Sequence, residues 1–583
     1  MENIDIARMF EDVAALLEIQ GANPFRIRAY QNAARTIESH TTPLRKLVTE
    51  GAKLTDLPGV GKDIAGYITE LVETGELGLF KELTEKVPPS LIELTRLPGV
   101  GAKKTKKLWE ELGIETIDGL ERAANAGEVA DLEGFGAKSQ QKILEGIAAH
   151  RRRQARFRIS DADQYVEPLI AYMKEEKAVE RIEVAGSYRR RRETVGDIDI
   201  LAIASEPGQV MQRFTSYPDV SRVELAGDTK GTVVLRSGLQ VDLRILPPQS
   251  YGAALQYFTG SKEHNVKLRK RAVARDLRVS EYGVFLTGGE EEAAAADPYA
   301  GEFVAGWEEG EVYEAVELAW MAPELREDRG EIEAAERGQL PDLITLDDIR
   351  GDLQMHSTWS DGKHSIEEML DGCVERGYEY FAVTDHSKAL AMTGGLDAAK
   401  LRDQWVEIEE IASRRPEIRV LRSMEVDILA DGGLDLEDEM LAQLDVVLVS
   451  VHSKFDLPAT KQTERILKAI QHPAVHILAH PTGRLINRRD PMEFDLDEVL
   501  QCAAECDVIV ELNAHPERLD LRDTHLMRAR ELGLKVVIST DAHRVADLGL
   551  MRYGVDQARR AWLGRDDVVN TYPLEKLLTI FDK

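Results

Sequence analysis

The sequence predicts a multidomain chain: a helical front end, a central α+β region that continues in helices, and a C-terminal barrel of βα units. Three observations carry that expectation. Leu57-Pro58-Gly59-Val60-Gly61 returns as Leu97-Pro98-Gly99-Val100-Gly101 and, more loosely, as Leu132-Glu133-Gly134-Phe135-Gly136, each copy among short amphipathic helices. Asp197 and Asp199 stand two apart on one apolar strand pattern, with Asp242 on a later one. Beyond residue 351, His, Asp and Glu follow one apolar strand after another.

The elements take their order from periodicity and breakers. Residues 1–85 and 86–155 read as two helical segments, with helices such as 6–19 and 61–72 broken by Pro-Gly turns. Residues 156–250 change period, and strands are predicted at 182–185, 198–203, 232–235 and 240–246. Helical texture returns over 251–325, with an acidic, Ala-rich loop or weak helix at 290–296. Residues 326–345, charged and closed by Leu340-Pro341-Asp342, read as a linker. From 346 to 583, strands at 381–383, 446–451, 475–478, 508–512 and 536–539 alternate with helices, the pattern of a parallel sheet or barrel.

With 583 residues, 43% hydrophobic and 31% charged, the chain reads as a soluble globular protein with several cores. Three cysteines make no disulfide framework, and neither a leader nor a bilayer-length apolar run is present, so a cytoplasmic monomer with no membrane contact is expected. The net charge of −30 argues against a nucleic-acid partner only as an average. Basic clusters gather before residue 280, at 103–107, 151–153, 189–192 and 267–271, and binding responds to local patches.

Each pattern has a chemistry. In the pentapeptide repeats, Gly59, Gly61, Gly99, Gly101, Gly134 and Gly136 permit tight turns that present backbone N–H groups to phosphate, with Lys103 beside the second copy. Alternate residues of a strand share a face, so Asp197 and Asp199 with Asp242 can hold two Mg²⁺ or Mn²⁺ ions, one for a primer hydroxyl and one for a triphosphate. Gly186 and Ser187 lead out of a strand toward the phosphates, and Arg190 supplies charge. At the C-terminal end His356, Asp361, His386, Glu425, His452, His480, Asp541 and His543 fall at strand ends, which converge on one mouth of a barrel. Imidazoles with carboxylates suit two to three Mn²⁺, Zn²⁺ or Fe²⁺ ions, a bridging carboxylate, and activation of water for attack on phosphorus.

The repeats resemble helix-hairpin-helix motifs, which grip the DNA backbone without reading sequence. Gly186-Ser187-Tyr188-Arg189-Arg190, Gly196-Asp197-Ile198-Asp199-Ile200 and Val241-Asp242-Leu243, followed by Tyr257-Phe258-Thr259-Gly260-Ser261 and Asn265, resemble the nucleotidyltransferase palm of family X DNA polymerases. That resemblance implies a lyase-like domain, fingers, palm and thumb, with gapped or primer-template DNA and deoxynucleoside triphosphates as partners. It also implies nucleotide contacts at Gly186, Ser187, Arg190, Gly196, Tyr257, Phe258, Gly260 and Asn265. Tyr257 would crowd a ribose 2′-hydroxyl, and Asn265 would touch the base. The C-terminal pattern resembles the polymerase and histidinol phosphatase (PHP) domain, a distorted β/α barrel. Bacterial family X polymerases often carry it, and it implies a Mn²⁺-stimulated 3′→5′ exonuclease with related 3′-end or abasic-site cleavage.

The expected function is short-gap filling in base excision repair, with 3′-end trimming. Three departures stand against the resemblance. Tyr67 occupies the place of the Schiff-base lysine, and tyrosine cannot form the imine. Gln240 stands two before Asp242, where the eukaryotic repair relatives carry arginine. The opening motif His-x-His reads Gln354-Met355-His356, and Gln354 is a weak ligand, so the alternative is a PHP domain that mainly supports the polymerase.

Overall fold

The computed structural model of the chain describes residues 3–38, 44–57, 59–97, 99–154, 156–287 and 297–582. The stretch at 290–296 lies outside them, as do Pro58, Pro98 and the side chains of Arg151, Arg152 and Arg153.

The front end is helical because its apolar residues recur at helical spacing. Helix Asn3–Gln20 buries Ile6, Phe10, Val13 and Leu17 on one stripe against helix Pro24–Glu38 and the helices behind it. All three glycine repeats fold into one turn. The N–H of Val60, Val100 and Phe135 donates to the carbonyl of Leu57, Leu97 and Leu132, at 3.1, 3.0 and 3.0 Å. Gly59, Gly99 and Gly134 sit at φ +75°, +77° and +85°, where a side chain would strain the backbone.

The central sheet orders its strands β1-β2-β5-β4-β3: β1 (Val179–Val184), β2 (Asp197–Ala204), β3 (Val220–Ala226), β4 (Lys230–Leu235) and β5 (Gln240–Ile245). The β2–β5 pair is parallel and sets Asp199 opposite Asp242. Alternate residues of β2 pack two ways: Ile198, Ile200 and Ala202 join Val166, Leu169 and Phe214, whereas Leu201 meets Tyr251 and Leu255 of helix Tyr251–Thr259. Strand β3 is a mostly exposed edge that leaves Val223 and Leu225 at the surface, and the sequence pattern missed it.

Residues 251–325, expected to be helical, also hold an antiparallel sheet of β6 (Leu277–Ser280), β7 (Gly283–Leu286) and β8 (Glu302–Ala305). These four-residue strands are too short to shift the helical periodicity around them. Within 326–345, expected to be a linker, helix Glu331–Glu336 puts Ile332 and Ala335 into the same core as Leu268 and Tyr313. Glu331 also pairs with His264 at 2.7 Å, inside the protein.

The C-terminal domain is a parallel seven-stranded sheet in sequential order: β9 (Gly351–Met355), β10 (Tyr380–Val383), β11 (Arg419–Asp427), β12 (Val446–Ser450), β13 (Ile477–Leu478), β14 (Ile509–Asn513) and β15 (Val536–Ser539). A bridge between Met355 and Ala542, with the His356 N–H 2.8 Å from the Ala542 carbonyl, brings the first and last strands together. Leu353, Tyr380, Ala382, Leu448 and Ile477 fill the inside, where helix Leu574–Phe581 inserts Leu577 and Phe581. Their strand neighbours Phe381, Val383, Val447 and Leu478 face the surrounding helices. Burial on both faces explains the unbroken apolar runs of the sequence.

Charged side chains join barrel to palm. Asp163 accepts from Tyr553 Oη (2.8 Å) and Arg552 Nη2 (3.0 Å), and Arg158 Nη1 reaches Glu517 at 2.6 Å. Arg484 is buried and donates to Glu193 at 2.7 Å. The run 189–192, grouped with the basic clusters, is drawn largely into the fold: Arg189 pairs with Glu309 (2.6 Å) and Arg191 with Asp556 (2.7 Å).

Candidate active sites

In the palm, Asp197 opens β2 at the surface, while Asp199 faces Asp242 across the parallel pair. Gly186 makes the approach possible: at φ +66°, a Cβ there would come 2.8 Å from Asp199 Oδ2. The Ala185 N–H also donates to the Asp199 carbonyl at 2.7 Å, so the Gly186–Ser187 turn is pinned to the strand that carries the acids. Gly196, directly before β2, precedes Asp197 without intervening structure. Burial, then the charges of Asp197 and Asp242, push the Asp199 carboxyl up to about 6. Asp242 accepts from Thr232 Oγ1 and, at 2.9 Å, from Gln240 Nε2. Gln240 therefore orients the acid with a neutral amide instead of a guanidinium. Carboxylates gathered at the cost of mutual repulsion fit a divalent cation.

A cleft of about 490 Å³ opens beside them, lined by Gly186, Ser187, Arg190, Asp197, Asp199, Tyr257, Phe258, Gly260 and Asn265. Nine of the predicted residues thus meet in one place. Arg190 Nη1 donates to the Thr259 carbonyl at 2.5 Å and Nε to Glu327 at 3.0 Å. Tyr257 and Phe258 meet edge to face at 5.2 Å. The Asn265 amide is held at both ends, donating to the Tyr257 carbonyl at 2.7 Å and accepting from Gln256 at 2.8 Å. Arg156, Arg192, Lys262 and Arg269 also line the cleft; Arg192 and Arg269 lie in basic clusters of the sequence, but none of the four was assigned to the nucleotide site. The signal was present for two: Lys262, Asn265 and Arg269 fall at i, i+3 and i+7 of helix Lys262–Val273, hence on one face.

At the barrel mouth all eight predicted residues converge, grouped as His356, Asp361, His386 and His543; His386, Glu425 and His452; and His356, Glu425 and Asp541, with His480 against Glu425. Glu425 divides its two oxygens. Oε1 lies 2.8 Å from His480 Nε2 and 3.3 Å from His452 Nε2, while Oε2 lies 3.2 Å from His386 Nδ1 and 3.5 Å from His356 Nε2. That is the disposition of a carboxylate bridging two positions. Burial pushes Glu425 up, but His452 and His386 outweigh it and hold the carboxyl well below the usual range. Burial, with His356 and His452 nearby, drives His386 down to about 3, whereas Glu425 and Asp427 overcome burial and raise His452 to about 9. His356 Nε2, His386 Nδ1, His452 Nε2 and His480 Nε2 all turn toward the Glu425 oxygens, and ring nitrogens gathered on one buried carboxylate fit divalent metal ions.

Gln354 lies on β9, two residues before His356. It is fully buried, and its amide, oriented to donate, faces Glu511, 3.1 Å from Oε2. Glu511 also accepts from the His480 N–H at 2.6 Å; burial, then the charge of Asp541, pushes its carboxyl well above the usual range. Glu511 escaped the sequence reading, although an acid inside the apolar run Val508-Ile509-Val510-Glu511-Leu512 was its signal. Arg518 comes 3.5 Å from Asp541 at the rim.

In the helical front end the second and third turns are clipped together. Lys104 donates to the Gly99 carbonyl (2.9 Å) and lies over the Phe135 ring, and Lys107 donates to the Glu133 carbonyl (2.7 Å). Lys103 stays exposed in the first turn of helix Ala102–Leu112. Gly61 and Gly101 are the N-caps of their helices, and Gly136 directly precedes helix Ala137–Gln154. Tyr67 stacks on Tyr30 at 6.4 Å.

Comparisons with known proteins agree with this geometry. Residues 1–77 match the helix-hairpin-helix domain, 91–149 the SAM-like helix-hairpin-helix tandem, 254–327 the DNA polymerase beta thumb, and 352–515 the PHP domain. The DNA polymerase/3′-5′ exonuclease PolX of Bacillus subtilis (strain 168) is 37% identical over 577 residues, 99% of this chain and 98% of its own length. DNA polymerase lambda of Rattus norvegicus is 23% identical over 302 residues, 48% of this chain and 49% of that one. A probable phosphatase of Acetivibrio thermocellus is 29% identical over 207 residues, 34% of this chain and 81% of its own. Among the described residues no helix is long and apolar enough to cross a membrane. A fold of hairpin helices, acid-bearing palm, thumb and histidine-rich barrel, matched nearly end to end, places the chain among the family X DNA polymerases that carry a C-terminal PHP domain.

Proposed function

We propose that the chain fills short gaps in DNA during base excision repair and trims 3′ ends, with one site for each reaction. The observation that carries the first half is the Asp197, Asp199, Asp242 group at the edge of a cleft lined by Ser187, Arg190 and Tyr257. Asp197, Asp199 and Asp242 hold two Mg²⁺ or Mn²⁺ ions, which when bound acidify the primer hydroxyl and neutralise the leaving pyrophosphate. Ser187 and the Gly186 turn receive the triphosphate, with Arg190 balancing its charge. Tyr257 stacks against the sugar and narrows the space for a 2′-hydroxyl, and Asn265, its amide fixed by Gln256, meets the base edge. The glycine turns Gly59, Gly61, Gly99, Gly101, Gly134 and Gly136, with Lys103, hold the DNA backbone.

In the barrel His356, Asp361, His386, Glu425, His452, His480, Asp541 and His543 hold two to three Mn²⁺, Zn²⁺ or Fe²⁺ ions, whose chemistry is to activate water toward a phosphodiester. Glu425 keeps both halves of the site in register through its divided oxygens. Gln354 pairs with Glu511 while the eight His, Asp and Glu side chains still converge, which favours a working nuclease over a disabled one. The ion-paired seam with the palm supports a structural contribution by the same domain, compatible with catalysis. A monomer in the cytoplasm is sufficient for this scheme. Template-directed extension of a gapped primer with Mg²⁺ or Mn²⁺ tests the polymerase half: Asp197→Ala abolishes extension and leaves DNA binding intact. A wild-type protein that fails to extend with either metal contradicts it.

A further inference from the structure

Two barrel side chains reach residues that line the nucleotide cleft: Asn487 Nδ2 donates to the Arg156 carbonyl at 3.1 Å, and Arg560, the buried one, bonds Arg190. Arg560 ends helix Met551–Arg560 and is 2% exposed. Its Nε and Nη2 hold Asp523 Oδ2 at 3.1 and 2.7 Å, which fixes the guanidinium to the barrel's own helix Asp523–Glu531. Its Nη1 crosses to the palm and donates to the Arg190 carbonyl at 2.7 Å and to Glu327 Oε1 at 3.0 Å. Glu327 Oε1 also accepts from Arg190 Nε at 3.0 Å, and its Oε2 lies 3.5 Å from Arg192. Both ends of Arg190, backbone and side chain, are therefore held by groups that Arg560 touches.

Arg190 caps the one-turn helix Gly186–Arg189, whose first residues Gly186 and Ser187 line the cleft together with Arg190 itself. A cation bonded to the last carbonyl of a helix steadies its end. A planar guanidinium with a fixed acceptor keeps its direction, whereas a solvated one samples many rotamers. We propose that Arg560, with Glu327, is a positioning residue for nucleotide insertion: it lets the barrel set the direction of the Arg190 guanidinium and the tilt of the Ser187 turn toward the triphosphate. This deepens, and rests on, the reading of the cleft as the nucleotide site. It gives the barrel a role in synthesis that is separate from its histidine cluster.

The test is single-nucleotide gap filling with the full chain, reading KM for the nucleotide, kcat, gapped-DNA Kd and 3′-end degradation. The variants are Arg560→Met, Arg560→Lys, Glu327→Gln, Arg190→Ala and the Arg190→Ala/Arg560→Met double. The expected result is a rise of about tenfold in nucleotide KM for Arg560→Met at unchanged DNA Kd and unchanged degradation, with partial recovery in Arg560→Lys. The double variant loses less than the sum of the two single losses, because part of the Arg560 effect runs through the Arg190 guanidinium and only the rest through the carbonyl that Arg190→Ala leaves in place. Should Arg560→Met fail to fold, Glu327→Gln gives the same KM shift from the other side of the contact. If Arg190→Ala raises KM but Arg560→Met and Glu327→Gln leave it within about twofold, the coupling is wrong and the nucleotide site stands. Additive losses in the double variant overturn the coupling equally. If Arg190→Ala itself leaves KM unchanged, the reading of the cleft falls, and the coupling with it.

Discussion

Gln354 and Glu511 face one another inside the barrel, the amide donating to a carboxylate that burial drives well above its usual range. The glutamine that stands where the family motif has histidine is thus a hydrogen-bond partner of β14, the next strand but one around the closed sheet. Among the described residues, ring nitrogens of His356, His386 and His480 are buried without hydrogen-bond partners, whereas the Gln354 amide has one.

Removing the amide should therefore affect stability first. Gln354→Leu leaves Glu511 without that donor in a fully buried place, and a loss of about 1–3 kcal/mol is expected. Thermal melting of the two proteins checks it, and an unchanged midpoint contradicts the pairing.

Asp199 predicts a pH-dependent gain on substitution. Its carboxyl is raised to about 6 from an ordinary 3.8, so the folded metal-free protein holds this proton more tightly than the unfolded chain. The penalty is absent below the unfolded value and grows as pH rises through the folded one. Asp199→Asn should therefore stabilise metal-free protein at about pH 8, by about 1 kcal/mol after solvent screening, and give no gain near about pH 4. Added Mg²⁺ should raise the melting midpoint of wild type more than that of Asp199→Asn.

Much of this was legible in advance. Period-3.6 stripes such as Ile6, Phe10, Val13 and Leu17 announced the front helices, and doubly buried runs such as Phe381-Ala382-Val383 announced the barrel. The strand-end histidines met because parallel strands deliver their C-terminal ends to one face. What escaped lacked a local signal. Strand β3 is an exposed edge without a regular apolar alternation, β6 to β8 are four residues each, and Thr232 touches Asp242 only through sheet register. The links from Arg484 to Glu193 and from Arg560 to Glu327 join residues 291 and 233 positions apart, which no window along the chain can pair.

The helix-hairpin turns offer a substitution that the fold tolerates. Gly101 has φ −76° and open space where a Cβ would stand, so Gly101→Ala should leave the melting midpoint nearly unchanged. The methyl nonetheless stands beside the N–H groups that open helix Ala102–Leu112. Gapped-DNA affinity should fall about threefold to tenfold at moderate salt. Equal affinity in a fluorescence-anisotropy titration removes this turn from the DNA contact.

Tyr67 makes a chemical prediction. It stacks on Tyr30, and no amine occupies its place for imine formation. Borohydride treatment with 5′-deoxyribose-phosphate DNA should trap no adduct on helix Lys62–Thr74. A trapped peptide from that helix contradicts it.

The central claim is two independent sites in one chain, and a crossed assay tests it most directly. Wild type, Asp197→Ala and His386→Ala are given the same 3′-recessed DNA with Mn²⁺, with and without nucleotides. Asp197→Ala should lose extension and keep 3′ degradation, while His386→Ala should lose degradation and keep extension. Degradation that survives His386→Ala, or one substitution that abolishes both reactions in a folded protein, contradicts it.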